Sequence, residues 1–133
     1  MTPTQIAARE RASAYMDWLF AVSTANYPDE HAESLRRLNV NASTWPKVAR
    51  FLTGFASKYG TYGEGMYPGL ETVRTDFGGS PSKATVSRWL NAAVLVGYLE
   101  VVRPGARFDP TEYRTSLPQP TREAFDHWGD PPY

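Results

Sequence analysis

The chain of 133 residues contains no cysteine. This absence excludes disulfides, cysteine nucleophiles and metal sites built from thiolates. No apolar run approaches the ~20 residues that a membrane-spanning helix requires, and the opening stretch MTPTQIAARERAS lacks the apolar segment of a signal peptide. We therefore expect a soluble protein of the cytoplasm that has no membrane as a partner.

An excess of charge of one sign is also missing. The 14 basic and 14 acidic side chains give a formal net charge of zero, so global charge offers no argument for nucleic-acid binding. The distribution is uneven, however: residues 1–44 sum to −1, residues 45–117 to +3 and residues 118–133 to −2. Eleven of the basic residues are arginines, whose planar guanidinium suits bidentate contacts with anions. The only electrostatic signal is thus a mildly basic centre.

Residue patterns typical of enzymes are scarce. The two histidines, His31 and His127, lie in separate acidic stretches, DEHAE and FDHWGD. A metal site that combines both with Asp29 or Asp126 is one interpretation, but acidic residues at a helix start are the commoner explanation. No serine–histidine pair has local motif support, and the glycine-rich GTYGEG lacks the lysine–serine/threonine ending of a phosphate-binding loop. We expect no enzymatic activity, no metal and no cofactor.

Hydrophobic residues are abundant, at 41% with 14% aromatic, which excludes an intrinsically disordered chain. A first helix is predicted over residues 4–24 and is apolar over more than one face, so it either packs on its own domain or is buried against a second copy. The stretch DEHAESLRRLNV predicts a second, shorter helix. Ser43 or Thr44 caps a third, whose apolar residues recur at spacings of three and four. These residues are Trp45, Val48, Leu52, Phe55 and Tyr59.

A hairpin follows the helices in the second half of the chain. The run GTYGEGMYPG, with four glycines in ten residues, predicts a loop, and LETVRTDF predicts a short helix ended by two glycines. Ser82 is a good N-cap for a longer helix that Gly97 ends, and its predicted buried stripe is Val86, Leu90, Ala93 and Val96. Residues 98–102 have an alternating pattern with β-branched side chains and predict a strand, and residues 111–117 predict the returning strand after the turn at Pro104-Gly105. The stretch TREAFDHW predicts a last short helix.

Four motifs of this region resemble the winged helix-turn-helix superfamily, especially small bacterial and phage DNA-binding domains. They are Y-P-x-x-E-T-V from Tyr67, F-G at Phe77, S-x-x-T-V-S-R-x-L from Ser82 and G-Y-L-E-V from Gly97, and they span about half of the chain. Two features depart from the family pattern. Arg74 stands where members usually have alanine, and the stretch with Gly79, Ser80 and Pro81 makes the spacing between the two helices about two residues longer than usual.

The resemblance implies a mainly α fold with a small β-hairpin, in which a winged helix-turn-helix core follows N-terminal helices. The predicted divisions are a helical extension over residues 1–42 for core packing or dimerisation, a DNA-binding domain over 43–117, and an acidic, proline-rich tail over 118–133. Double-stranded DNA is the implied partner of this core, read through a helix in the major groove.

The candidate DNA-binding residues lie on the helix after Pro81 and at the hairpin tip. Because the aliphatic stripe of this helix is expected to face the core, its polar side chains are expected to point outward. Such a small, basic face fits a major groove about 12 Å wide. By the resemblance, the base-edge candidates are Lys83, Ala84, Ser87 and Arg88, with Asn91 further along the helix. Ser82 and Thr85 are phosphate or positioning groups, and Arg103 and Arg107 reach backbone or minor groove.

Each of these residues also has a simpler interpretation. Ser82 and Thr85 cap the helix in any case, the exposed charges are ordinary solvated groups, and the two tip arginines keep a hairpin soluble. Trp89 lies off the aliphatic stripe and is predicted to pack on the N-terminal helices.

Three functions follow from these interpretations. The first is sequence-specific DNA binding by a homodimeric, nucleoid-associated transcriptional regulator or repressor. The second is an accessory DNA-binding factor in plasmid or phage replication or recombination. The third is a protein–protein adaptor or antirepressor that binds a protein partner through its N-terminal helices or its C-terminal tail.

Overall fold

The computed structural model describes residues 1–118, so the helix predicted at TREAFDHW and nearly all of the acidic tail lie outside the described residues. The helices are α1 (Pro3–Thr24), α2 (Ala32–Arg37), α3 (Trp45–Tyr59), α4 (Leu70–Asp76) and α5 (Lys83–Val96), and the strands are β1 (Leu99–Arg103) and β2 (Glu112–Thr115). The strands pair antiparallel. A mainly α fold with a small β-hairpin is therefore confirmed. No helix within residues 1–118 is long and apolar enough to cross a bilayer.

The first helix packs one face on the rest of the chain and leaves another face exposed. A capping box starts it, because the Thr2 hydroxyl accepts from the Gln5 amide while the Gln5 side chain accepts from the Thr2 amide. Trp18 is only 2% exposed and donates its Nε1–H to the Tyr98 carbonyl at 2.8 Å. Met16 and Phe20 are each 62% exposed. Core packing thus accounts for the Trp18 face of the helix and not for the Met16–Phe20 face.

The second helix is shorter than the stretch DEHAESLRRLNV predicts. A 3₁₀ turn over Asp29–His31 precedes α2, and the chain reverses at Asn39, whose φ of +57° lies in the left-handed region that asparagine tolerates. The Val40 amide then returns to the Leu35 carbonyl at 2.9 Å. Since Leu35 and Val40 are both fully buried, the early end of α2 brings two aliphatic side chains into the core.

The third helix forms the centre of the core, but its cap differs from the prediction. Thr44 occupies the N-cap position without a side-chain cap bond. The Asn41 side-chain oxygen instead accepts from the Thr44 amide at 3.0 Å and from the Thr44 hydroxyl at 2.9 Å. The predicted apolar stripe is confirmed at four of its five positions, which are buried: Trp45, Val48, Leu52 and Phe55. Tyr59 is half-buried.

The glycine-rich loop contains a backbone pairing that the sequence interpretation missed. Met66 and Tyr113 exchange two backbone hydrogen bonds, of 3.2 and 2.7 Å, and Met66 is fully buried. Nearby, Gly63 has a φ of +78° and its carbonyl accepts from the Thr115 amide at 2.8 Å. The loop therefore fastens the base of the hairpin to the core.

The hairpin itself extends outward from that base. Leu99 pairs with Thr115 and Val101 with Tyr113, and the register shifts before Arg103. Only the first residue of β1 is buried, while residues 101–109 are all exposed. The outer half of the hairpin therefore stands clear of the core.

Candidate nucleic-acid interface

The helix α5 begins and ends where the sequence predicts. The Ser82 hydroxyl accepts from the Thr85 amide at 3.3 Å, so Ser82 is the N-cap, and Gly97 closes the helix with a φ of +107°. The side chains predicted to be buried are confirmed as such: Val86, Leu90, Ala93 and Val96. Between α4 and α5, Gly78 and Gly79 both have positive φ, and the Gly79 amide bonds to the Arg74 carbonyl at 2.8 Å. The turn thus joins the two helices closely.

The opposite face of α5 stays accessible at its N-terminal end. The exposed candidates on this face are Ser82, Lys83, Ala84 and Asn91, and the half-buried ones are Thr85, Ser87 and Arg88. None of the seven is buried. We call these seven residues the α5 outer face.

Lys83 is paired with the neighbouring helix. Its Nζ lies 3.8 Å from a carboxylate oxygen of Glu71, which also accepts hydrogen bonds from Arg74. The bond from Arg74 lowers the pKa of Glu71, and Lys83 lowers it further, so the carboxylate stays ionised at neutral pH. Arg74 therefore belongs to a cluster of charges at the edge of the α5 outer face. Exposed ion pairs of this kind are weak and exchange readily with other partners.

Arg88 is held along its own helix. Its Nη2 donates to the Thr85 hydroxyl at 3.1 Å, and that hydroxyl lies 3.1 Å from the Ser82 oxygen. The bond occupies one of the five N–H donors of the guanidinium. The chain Ser82–Thr85–Arg88 thus fixes the direction of the arginine along the helix.

A groove of about 390 Å³ separates α5 from the hairpin. Its lining includes Ser87 and Asn91 from α5 and Ala106, Asp109 and Thr111 from the hairpin loop. The α5 outer face and the base of the hairpin tip therefore form two walls of one concave surface. Asp109 places a negative charge on the hairpin wall.

The tip carries the two predicted arginines in different settings. Arg103 has its Nη2 3.9 Å from a carboxylate oxygen of Glu112. Arg107 lies with its guanidinium carbon 5.2 Å from the ring centroid of Phe108, a cation–π contact. Phe108 is 94% exposed, and sequence reasoning missed it. The available signal was a large aromatic residue next to an arginine in the middle of a turn, PGARFD.

Trp89 contacts a helix of the predicted DNA-binding domain. Its ring contacts Phe51 of α3 edge-on, with 5.6 Å between centroids. Because α3 lies within residues 43–117, this contact is internal to the predicted DNA-binding domain and does not involve the N-terminal helices.

Comparison with protein-family models, with curated proteins and with solved structures finds no match to this chain. Within residues 1–118 no three side chains of histidine, cysteine, aspartate or glutamate come together as a metal site would need. His127 and Asp126, which one interpretation assigned to a metal, lie outside the described residues. The geometry of α5 and the hairpin is therefore the basis for a functional assignment.

Proposed function

We propose that this protein binds double-stranded DNA in a sequence-specific manner, with α5 in the major groove and the hairpin on the neighbouring backbone or minor groove. The observation that carries the proposal is the accessible α5 outer face, opposite a buried stripe and beside a projecting hairpin. A short helix, a tight turn, a longer helix and a hairpin follow one another, which is the element order of winged helix-turn-helix DNA-binding proteins.

The α5 outer face offers the chemistry that a major groove requires. Lys83 and Arg88 can donate to guanine acceptors, and Ala84 can contact a thymine methyl group. Ser82 and Thr85 lie at the N-terminus of α5, where the helix dipole and the first amides favour a phosphate. We propose that the exposed side chains read the bases, while the start of the helix contacts phosphate and positions the protein on the DNA.

The charge of the chain limits how strongly DNA can be held. With zero net charge, affinity depends on a few phosphate contacts and not on a broad basic surface. The logarithm of the binding constant then falls with the logarithm of salt concentration by about 0.9 for each neutralised phosphate. We expect binding to weaken steeply as salt rises, with a slope set by the number of phosphates neutralised.

The experiment is selection of duplexes from a random pool, followed by binding measurements on the selected duplex. Arg88→Ala is expected to weaken binding by about 1–3 kcal/mol, or about 5- to 150-fold, and to relax preference at one position. Arg36→Ala is the matched control, because it removes the same charge from an exposed position on α2. Equal affinity and specificity for both variants would remove Arg88 from the interface. A wild-type protein that retains no DNA even at low salt would refute DNA binding and favour the adaptor function.

The Glu71–Lys83 pair allows a second test, in which a substitution is expected to tighten DNA binding. Glu71→Gln removes the charge that competes for Lys83, so Lys83 is freer to contact a base and binding should tighten. Lys83→Ala should weaken binding and relax the preference at one position. If Glu71→Gln leaves affinity unchanged, Lys83 does not contact DNA.

We further propose that the regulator is a homodimer formed through the exposed face of α1. Met16 and Phe20 are large apolar side chains one helical turn apart, and both are largely exposed in the single chain. A two-fold dimer would select inverted half-sites about 34 Å apart. Sedimentation equilibrium should show a dimer for the wild type and a monomer for Phe20→Ser. A wild-type monomer at all concentrations would contradict this part of the proposal.

A further inference from the structure

The end of the hairpin presents Arg107 and Phe108 in a closed turn. Ala106 and Asp109 exchange two backbone hydrogen bonds, of 2.9 and 3.0 Å, and these bonds enclose the two residues between them. A two-residue turn closed in this way directs both side chains away from the strands.

The arms below this turn are also constrained. The Gly105 amide donates to the Thr111 hydroxyl at 3.1 Å, and a Cβ on Gly105 would lie only 2.7 Å from that oxygen. Pro104 and Pro110 fix the backbone φ on the two arms. Because these bonds and the two prolines restrict the backbone of the tip before binding, less entropy is lost when the tip inserts into a partner.

The exposure of Phe108 has no explanation within the fold. Its ring is 94% exposed, although apolar surface in water is unfavourable, and its one aromatic or cationic neighbour is Arg107 at 5.2 Å among the residues described. An apolar wedge next to an arginine is the combination that minor-groove binders use. The wedge enters between base pairs, and the cation is drawn to the negative potential of a narrow groove.

We propose that the Arg107-Phe108 tip enters the minor groove and that Phe108 wedges between adjacent base pairs. This inference rests on the proposed DNA binding and adds the mode of contact. Ala106 and Asp109, at the base of the tip, share one groove with Ser87 and Asn91 of α5, so the same duplex that receives α5 also meets the tip. Insertion should bend the DNA toward the major groove, and the wedge should prefer flexible pyrimidine–purine steps at a fixed distance from the α5 motif.

The test uses the full chain and the duplex selected from the random pool. Dyes on the two duplex ends report bending by energy transfer, and 2-aminopurine beside the α5 motif reports unstacking by increased fluorescence. We compare the wild type with Phe108→Ala, with Phe108→Trp and with Val102→Ala. The last is a matched control, since Val102 is an exposed apolar residue on the same hairpin.

Phe108→Ala is expected to lower affinity about tenfold and to abolish both the bend and the 2-aminopurine signal. Phe108→Trp should preserve the affinity, the bend and the 2-aminopurine signal, and Val102→Ala should behave as the wild type. Circular dichroism verifies that every variant is folded.

Two results would overturn the wedge while leaving DNA binding intact. One is an unchanged affinity and bend for Phe108→Ala in a protein that Arg88→Ala weakens. The other is a loss of affinity for Phe108→Ala when the wild type itself neither bends nor unstacks the duplex, since Phe108 would then contact DNA without insertion. Absence of DNA binding by the wild type would overturn both proposals together.

Discussion

Replacing Trp18 by alanine tests whether α1 belongs to the same cooperative core as the hairpin and α5. The change removes an indole ring that is 98% buried by the fold and a donor to the Tyr98 carbonyl, 80 residues further along the chain. Truncations of buried aromatic residues of this kind destabilise proteins by about 3–5 kcal/mol, because transfer and cavity terms add. That is a large share of the stability of a single domain.

The packing and hydrogen-bond contributions of Trp18 can be separated. The Tyr98 carbonyl also accepts from the Ser116 amide at 3.0 Å, so it retains a partner when the indole donor is removed. Trp18→Phe should therefore lose about 1 kcal/mol from the hydrogen bond, together with a modest loss of packing. The alanine variant should lose considerably more than the phenylalanine variant.

The assay is urea denaturation followed by far-ultraviolet circular dichroism and by tryptophan fluorescence. Phe20→Ala is the control on the same helix, and it should change the free energy of unfolding by less than about 0.5 kcal/mol at protein concentrations where the chain is monomeric. The two signals should coincide, and the slope of free energy against urea should stay constant. One contrary result is a decrease of less than about 1 kcal/mol in the free energy of unfolding for Trp18→Ala. The other is a transition in circular dichroism at a lower urea concentration than the transition in fluorescence. Either result would mean that α1 unfolds separately from the core and would refute this reasoning.

Three further predictions concern single sites. Gly63→Ala should destabilise the fold by about 1–3 kcal/mol, because its φ is +78° and a Cβ would clash with the Thr115 hydroxyl; an unchanged melting temperature would contradict this. Ser82→Ala should lower stability by about 1 kcal/mol through loss of the α5 cap, whereas Ser82→Asp should restore it in the same denaturation assay. Burial and the hydrogen bond to Asp76 raise the pKa of Tyr59, so the folded state keeps a proton that the unfolded state releases near pH 10. Stability should be complete below that pH and fall above it, and Tyr59→Phe should make the fall less steep; equal slopes in alkaline denaturation would refute the assignment.

Local patterns in the sequence determined most of the helices and the position of the candidate site. The bounds of α5 follow from the Ser82 cap, the spacing of its aliphatic residues and the left-handed Gly97, all of which act within a few residues along the chain. The same periodicity separates the buried side of α5 from its polar side. Short-range interactions therefore determine the polar side of α5 without any long-range contact.

Long-range contacts decided the features that this local physics could not reach. The pairing of Met66 with Tyr113 and the bond from Trp18 to Tyr98 join segments that are 47 and 80 residues apart, and neither leaves a periodic signal in its own segment.

The setting of individual side chains also required the assembled structure. The ion pair between Lys83 and Glu71 depends on how α4 meets α5, and the near-complete exposure of Phe108 depends on the hairpin standing clear of the core. A side chain's burial and partners are set by whatever segments fold against it, so they emerge only when distant parts of the chain are brought together. The sequence by itself thus determined which residues form α5 and which side of it is polar, whereas the tertiary structure decided what surrounds that side and what the hairpin tip presents.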